Sequence, residues 1–212
     1  MLPPELPVGE RLHARLTWHG MAAGSDAFAL HVVGSILGIA AQECAEAGTL
    51  HEAAGLDPVE MRALFTLLFP DALPLLRAFA EGAAAPSADE AALRDLLWMH
   101  AGEGSPLEHF LVRMVARRSM RPNHLWQDLG LGSRRELGAL MQRYFPRLAR
   151  KNSSDMKWKK FFYRMLCSAA EFRLCTAPVC SECDDFDACF GGEDGESLLA
   201  RARRAAPMEM RL

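Results

Sequence analysis

Signals for the start of a helix recur along this chain, whereas the alternation of apolar and polar residues that marks strands is scarce. Ser87, Ser105 and Ser133 are each followed three residues later by a glutamate. In this S-x-x-E pattern, the serine and glutamate side chains each satisfy a backbone amide that the first helical turn leaves without a partner. Three such signals in one chain predict an all-α fold.

Three other segments support the same prediction. Asp57-Pro58 places proline at the first position of a helix, where its missing amide proton is not needed. Ser25 precedes an alanine-rich apolar segment that we expect to be helical to about Ala47. Residues 157–171 carry apolar side chains at helical spacing, at Phe161, Phe162, Met165 and Leu166.

Length and composition limit how the chain is organised. With 212 residues, of which half are hydrophobic, it can bury one sizeable core. We expect a single helical domain over residues 1–170, followed by a cysteine-rich loop and a short final helix over residues 171–212. Gly191 and Gly192 separate that loop from the final helix.

The charge is unevenly distributed. The formal net charge is -3, which argues against a general nucleic-acid binder, since such a domain usually carries a basic excess. Residues 113–164 nevertheless contain fourteen lysines and arginines and only three acids, whereas residues 171–196 contain eight acids and one arginine. A basic stretch therefore runs directly into an acidic one.

Two features predict a cytoplasmic protein without a membrane span. The first ten residues carry two proline-containing turns and no apolar segment behind a positive cap, so they do not resemble a secretory signal. The most apolar run, residues 28–41, is shorter than a bilayer requires and is interrupted by His31 and two glycines. We expect it to be a core helix.

Four of the six cysteines lie within fifteen residues, in a C-x4-C-x2-C-x5-C pattern. In a reducing compartment such a cluster indicates a metal site rather than disulfides, because four thiolates form a soft, anionic set of ligands. Pro178 prevents the segment from continuing as a helix, so the cysteines can converge. The four ligands are Cys175, Cys180, Cys183 and Cys189.

The pattern leaves two kinds of metal open. Structural zinc sites usually present two short-spaced pairs that are well separated in sequence, whereas here all four cysteines share one loop. The first three spacings match those of plant-type ferredoxins. The pattern therefore favours an iron-sulfur cluster over zinc.

Outside this cluster, Cys167 and His124 are candidate additional ligands. Cys167 lies eight residues before Cys175, at the end of the preceding helix, and its alternative role is that of a small buried residue. His124 begins a His-Leu-Trp-Gln-Asp-Leu-Gly-Leu motif, and a lone histidine in this place is otherwise a cap or a packing residue. Cys44 is expected in the core.

No nucleophile elbow, phosphate-binding loop or HExxH helix is found in the sequence, so a hydrolase or kinase has no support.

Three segments together resemble the NifQ family of nitrogenase accessory proteins. They are Arg-Pro-Asn-His-Leu-Trp-Gln-Asp-Leu-Gly-Leu at residues 121–131, Asp-Met-Lys-Trp-Lys-Lys-Phe-Phe-Tyr at residues 155–163, and the cysteine loop that ends in Cys-Phe-Gly at residues 189–191. The resemblance covers roughly the C-terminal half. The cysteine spacing is that family's cluster signature, so the resemblance assigns the ligand role to the four cysteines.

The resemblance implies a carrier of molybdenum for the nitrogenase iron-molybdenum cofactor, and not an enzyme. It implies a [4Fe-4S]-type cluster with molybdenum in one position, and delivery to the cofactor assembly scaffold together with the nitrogenase reductase. Molybdate or a molybdenum-sulfur species would be the cargo. Thiolates and sulfides hold molybdenum only after the oxo groups of molybdate are replaced. We therefore expect three cysteines to hold iron, while the remaining corner takes molybdenum through an exchangeable ligand.

A group of cations precedes the acidic cysteine loop, and it has two interpretations. It is either a solvated helix face or a surface that attracts the oxyanion or docks an acidic partner. The residues are Lys157, Lys159, Lys160 and Arg164.

Two other functions remain as alternatives. An electron-transfer or redox-sensing iron-sulfur protein would hold iron without transferring molybdenum. A helical DNA glycosylase of the endonuclease III type also has a C-terminal C-x2-C-x5-C loop, but its first spacing is longer, and Leu129-Gly130-Leu131-Gly132 only faintly resembles its hairpin.

Overall fold

The computed structural model describes residues 7–47, 50–78, 85–153 and 155–169. Within these ranges the chain forms ten α-helices and one 3-10 helix and contains no strand, so the all-α prediction is confirmed for them. The α-helices are α1 (Val8–Ala22), α2 (Ala27–Ala47), α3 (Leu50–Ala54), α4 (Pro58–Leu68), α5 (Ala88–Met99), α6 (Pro106–Ser119), α7 (Leu125–Asp128), α8 (Arg134–Tyr144), α9 (Pro146–Lys151) and α10 (Trp158–Ala169), and the 3-10 helix is Pro70–Ala78.

The predicted cap residues Asp57, Ser87, Ser105 and Ser133 all precede helices, and each accepts a hydrogen bond there. Asp57 and Ser105 each accept a hydrogen bond from the backbone amide of the glutamate three residues on. The carboxylate of that glutamate in turn accepts one from the backbone amide of the cap residue. Ser87 and Ser133 also accept such bonds. The side chain of Glu90 instead pairs with Arg94 and Arg117. That of Glu136 accepts from the Gly132 amide and also contacts His31.

Helix α2 begins two residues later than Ser25. Asp26 caps it by accepting a hydrogen bond of 2.8 Å from the amide of Ala29, while the Ser25 hydroxyl donates to the carbonyl of Leu68. Ser25 is therefore not the cap, because a tertiary contact occupies its side chain. The predicted end at Ala47 is confirmed.

Helices α1 and α2 form a hairpin that depends on small residues. A Cβ atom at Gly9 would lie 2.5 Å from the carbonyl oxygen of Gly38, and one at Gly34 would lie 2.8 Å from the ring of His13. The contact at Gly9 is with backbone, so a side chain there would push the two helices apart. At Gly34 a side chain would force the His13 ring to shift.

Helix α2 is longer than the apolar run suggested. By length and composition alone, the segment Ala27–Cys44 of α2 could span a membrane, and only the described residues were considered for this. The expectation that the run is too short is therefore wrong. More than half of that window, 56%, is buried inside the fold, which favours the core-helix interpretation.

The described helices share one hydrophobic core. Phe65, Phe69, Met114 and Phe145 are buried at its centre. Helix α10 joins it through Phe161 and Phe162, at the aromatic positions of the predicted helical pattern. Residues 170–212, with the cysteine loop and the predicted final helix, lie outside the described residues, so the domain boundary stays a prediction.

Candidate metal-handling site and its supporting network

The clustered cysteines Cys175, Cys180, Cys183 and Cys189 lie outside the described residues. Cys167 belongs to α10, but its side chain is also outside them. The structure instead describes the elements that lead into the cysteine segment, and it brings the first two segments of the family resemblance into contact.

The first segment, residues 121–131, contains the short helix α7 and a glycine-terminated turn. The amide of Gly130 donates to the carbonyl of Gln127 at 2.8 Å, and the amide of Leu131 donates to the carbonyl of Trp126 at 2.9 Å. These two bonds form a Schellman motif, in which the glycine takes a left-handed conformation. Its φ angle is +67°, as the motif requires.

Gly130 also brings this turn close to α2. A Cβ atom at Gly130 would lie 2.6 Å from the carbonyl oxygen of Ser35. The flanking side chains of Leu125, Leu129 and Leu131 are buried. Residues 125–131 are therefore fixed to the core by backbone conformation, close approach and apolar packing.

The second segment leads into α10 through a turn shaped by Asn152. Its side-chain amide donates to the carbonyl of Met156, and its side-chain oxygen accepts from the amide of the same residue, both at 2.9 Å. Asp155 has a φ angle of +48°, which asparagine and aspartate tolerate better than most residues. The turn thereby directs the chain into Trp158, the first residue of α10.

Lys159 joins the two segments. Its ammonium donates to the Asp128 carboxylate at 2.5 Å, to the Asn123 carbonyl at 2.7 Å and to the Arg121 carbonyl. The side chain of Lys159 is 12% exposed and that of Asp128 is 2% exposed. An ammonium has three protons, and here three acceptors receive them.

Asp128 is held from the other side by Arg118, whose side chain is fully buried. Its Nε donates to the Asp128 carbonyl at 2.6 Å, and its two terminal nitrogens donate to the Glu43 carboxylate at 2.8 and 2.5 Å. This two-bond arrangement requires a planar guanidinium, so lysine cannot replace it. Arg121 adds an ion pair to Glu43 at 2.8 Å.

The charges in this network shift the pKa of Glu43. Burial alone would raise that pKa, but the hydrogen bonds and charges of Arg118 and Arg121 hold it below its ordinary value. Glu43 therefore stays ionised and bridges α2 to α6. We define the five side chains Glu43, Arg118, Asn123, Asp128 and Lys159 as the anchor network.

The tryptophans of the two segments pack against the core. The Trp158 ring contacts Phe161 edge-on and Phe162 at a tilt, with centroids 5.7 Å apart in both cases. Trp126 and Trp158 are both half-buried there.

His124 occupies the N-cap position of α7. Its backbone amide donates to the side-chain oxygen of Gln127 at 3.1 Å, and the residue is half-buried. This is the capping role that the sequence offered as the alternative to metal ligation. Ligation by His124 stays a prediction.

Carboxylates from the first half of the chain pair with several cations of the basic stretch. The described ion pairs join five of these cations to acids before residue 91 and a sixth, Lys159, to Asp128. These long-range pairs have no local sequence signal. They are Arg113 with Glu60, Arg117 with Glu90, Arg118 and Arg121 with Glu43, Arg143 with Asp26, and Lys159 with Asp128.

The four cations before the cysteine loop therefore differ in their surroundings. Lys159 lies within the anchor network, whereas Arg164 is exposed, with its guanidinium 3.6 Å from the Met156 sulfur. Lys157 and Lys160 are half-buried. A role in oxyanion entry or docking stays a prediction for this group.

Within the described residues, no group of three or more histidines, cysteines, aspartates or glutamates is arranged to hold a metal ion. Cys44 is partly buried and packs against the core, and burial raises the pKa of its thiol. A neutral thiol is a poor ligand. The cysteine loop remains the candidate metal site, and four clustered thiolates suit iron-sulfur chemistry.

The protein therefore belongs to the class of helical proteins with a cysteine-rich segment, which here follows α10, the last described helix, in the sequence. The NifQ family model matches residues 35–191, from within α2 to just past the last clustered cysteine. The chain belongs to the NifQ family. The match begins well before the C-terminal half that the motifs covered, and it includes Glu43.

Individual relatives agree with this assignment. A NifQ homolog from Sinorhizobium fredii is 40% identical over 172 residues, covering 80% of this chain and 75% of the relative. The NifQ protein of Rhodobacter capsulatus is 39% identical over 167 residues, covering 74% of this chain and 87% of the relative. That of Azotobacter vinelandii is 41% identical over 101 residues, which is 48% of this chain and 52% of the relative. No solved structure matches the chain.

Proposed function

We propose that this chain carries molybdenum on an iron-sulfur cluster and donates it during biosynthesis of the nitrogenase iron-molybdenum cofactor. NifQ proteins are accessory proteins of nitrogenase molybdenum cofactor biosynthesis and are not known as enzymes. One observation carries the proposal. The family match spans Cys175, Cys180, Cys183 and Cys189, and it ends two residues after the last of them.

The chemistry of the cysteine loop supports this function. Thiolates suit iron and sulfide-bridged metals, whereas molybdate is a hard oxyanion that they bind poorly. A [4Fe-4S]-type cluster with molybdenum in one position would supply sulfide ligands to the cargo. Three cysteines would then hold iron, and one exchangeable ligand, for which Cys167 and His124 are candidates, would allow molybdenum to leave.

The proposal includes partners and a location. The recipient would be the cofactor assembly scaffold, acting with the nitrogenase reductase, in the cytoplasm. Lys157, Lys160 and Arg164 are the cations that we retain for oxyanion entry or partner docking. Lys159 is set apart from them, because its ammonium is already bound by three acceptors.

A transfer measurement tests the donor role. The protein is purified anaerobically from molybdate-supplied cells, mixed with cofactor-free scaffold and reductase, and separated by size. We expect molybdenum to move to the scaffold fraction, and to stay behind when the scaffold is replaced by serum albumin. If molybdenum stays on this chain while its iron undergoes reversible reduction, the protein is an electron-transfer protein and the donor role is wrong.

A further inference from the structure

Helices α8 and α9 carry exposed cations that the described acids do not neutralise. Residues 134–151, which span the two helices, contain six lysines and arginines and one acid, Glu136. That acid already contacts His31, and Arg143 pairs with Asp26. Among the described residues, no ion pair or hydrogen bond is formed by four exposed side chains, which are those of Arg134, Arg135, Arg147 and Arg150. The described fold therefore makes no use of these four charges.

Two of these arginines lie where a cation is least favourable for the helix. Ser133 caps α8, so Arg134 and Arg135 are its first two residues. The first turn of a helix carries partial positive charge on its free amides, so it favours acids and disfavours cations. Neither arginine gains a described partner in return. Helix stability and internal pairing therefore do not explain arginine at these two positions.

Gly138 is a second feature of the same part of α8 that the described packing does not require. It lies one turn after both Arg134 and Arg135, and residues three or four apart are neighbours on a helix surface. Glycine in a helix interior lowers stability relative to alanine. A Cβ atom at Gly138 would nevertheless meet nothing within 4 Å. By contrast, a Cβ would lie 2.8 Å or less from another atom at the other glycines inside described helices, which are Gly9, Gly20, Gly34 and Gly38.

These residues form a surface that suits a partner outside the chain. Residues that act against local structure without an internal gain are expected at functional sites. An unpaired guanidinium can bind a carboxylate through two parallel hydrogen bonds, and a glycine lets another backbone approach closely. We define four residues of this helix as the α8 face, namely Arg134, Arg135, Gly138 and Gln142, which is exposed one further turn along.

The extent of the α8 face favours a protein over a small oxyanion. Arg134 and Gln142 are separated by about 12 Å along the helix axis. An oxyanion is held where donors converge in a concave site, whereas these side chains project from the exposed side of one helix. The net charge of -3 argues against nucleic acid. Arginine is enriched at protein–protein interfaces.

We infer that the α8 face docks an acidic surface of a protein partner, which under the proposed function is the scaffold that receives molybdenum. The inference rests on the proposed function for the identity of this partner. It adds a docking surface separate from the cations Lys157, Lys160 and Arg164.

The affinity for the scaffold tests the inference. Anaerobically purified protein is titrated into the cofactor-free scaffold of the transfer measurement, and calorimetry gives the dissociation constant at low and high salt. The double variant Arg134→Gln, Arg135→Gln should bind about tenfold more weakly or worse, because arginines are frequent hot spots of interfaces. Gly138→Gln should bind about tenfold more weakly, because the added side chain keeps the partner away from the helix. Wild-type affinity should fall as salt rises.

Two matched controls separate docking from net charge and from helix stability. The double variant Arg147→Gln, Arg150→Gln removes the same charge from α9, outside the α8 face. Gly138→Ala favours the helix but adds only a methyl group. Both should bind the scaffold with nearly wild-type affinity. Gly138→Gln should unfold at no lower temperature than the wild type, because glutamine is a better helix former than glycine and its Cβ has open space. Weaker binding in that variant is then not a loss of structure.

Each outcome decides the inference. Weaker binding in both α8 variants, with nearly wild-type affinity in both controls, supports it. Wild-type affinity in either α8 variant, or equal loss of affinity in the α9 variant, overturns it and leaves the proposed function standing. A wild-type protein that binds duplex DNA but not the scaffold also overturns it. The transfer measurement decides the proposed function separately, because molybdenum that does not move from the wild type to the scaffold contradicts that function even where the α8 face docks.

Discussion

The ammonium of Lys159 lies 2.5 Å from the carboxylate of Asp128, and this contact joins two sequence segments that are 31 residues apart. Both side chains are nearly buried. Removal of one partner leaves the other charge buried without its counter-ion, and such changes typically destabilise a protein by about 3–5 kcal/mol.

A double-mutant cycle measures this pair. Lys159→Met should lower the free energy of unfolding by about 3 kcal/mol, and Asp128→Asn in the Lys159→Met background should recover part of that loss because it removes the unpaired charge. Urea unfolding followed by circular dichroism gives all four values. Strictly additive effects would show that the two residues do not interact.

The sequence predicts contacts between residues that are close in the chain, but not contacts between distant residues. The bonds of Ser105 and Glu108 are local, so the motif predicts them, and the same holds for the Schellman turn at Gly130 once its neighbours are helical. Arg118 finds Glu43 75 residues away. No local pattern distinguishes Arg118 from Arg117 beside it, because the burial of Arg118 depends on residues that are distant in the sequence.

For the same reason, the sequence placed Lys159 with the other cations, although the structure shows its ammonium bound by three acceptors. In the sequence it lies between Lys157 and Lys160, so residues 157–160 resemble a single basic surface. Helical geometry turns successive side chains by about 100°, so Lys159 faces Asp128 while the Lys160 side chain leaves the helix in another direction. The metal ligands themselves were inferred from spacing and family resemblance, and they stay predictions.

Gly130 supplies a test of the turn that supports Asp128. Gly130→Ala should destabilise the protein by about 1–2 kcal/mol or more, because alanine is disfavoured at positive φ. Its Cβ would also meet the Ser35 carbonyl. The matched control is Gly138→Ala within α8, where a Cβ meets nothing within 4 Å. That change should stabilise the helix by about 0.5–1 kcal/mol. Thermal unfolding of both variants measures the contrast, and equal shifts would contradict the assigned turn.

The lowered pKa of Glu43 predicts that the free energy of unfolding falls in acid. Its pKa in the folded chain lies below the ordinary value of 4.5, so the unfolded chain takes up the proton first as pH falls. The stabilisation is therefore fully present above pH 4.5 and is lost as pH falls through the lower, folded pKa. Urea unfolding of the wild type and Glu43→Gln between pH 7 and pH 3 should show their difference shrinking on acidification. A constant difference would exclude Glu43 as a titrating contributor.

The retained cations predict a charge effect on delivery. Lys160→Glu should slow molybdenum transfer to the scaffold about tenfold at low salt, and the effect should fade as salt rises, because electrostatic steering is screened. Lys151→Glu is the charge-matched control outside this group. Equal slowing in both variants would show that net charge alone causes the effect. Unchanged transfer in Lys160→Glu would show that Lys160 plays no part in delivery.

We propose that the cysteine loop holds the iron-sulfur cluster together with molybdenum. Metal analysis tests this by counting iron, molybdenum and zinc per chain in protein purified anaerobically from molybdate-supplied cells, beside Cys183→Ala and the control Cys44→Ala. We expect iron and molybdenum in the wild type and in Cys44→Ala, with both strongly reduced in Cys183→Ala. Zinc alone in the wild type, or unchanged iron and molybdenum in Cys183→Ala, would contradict it.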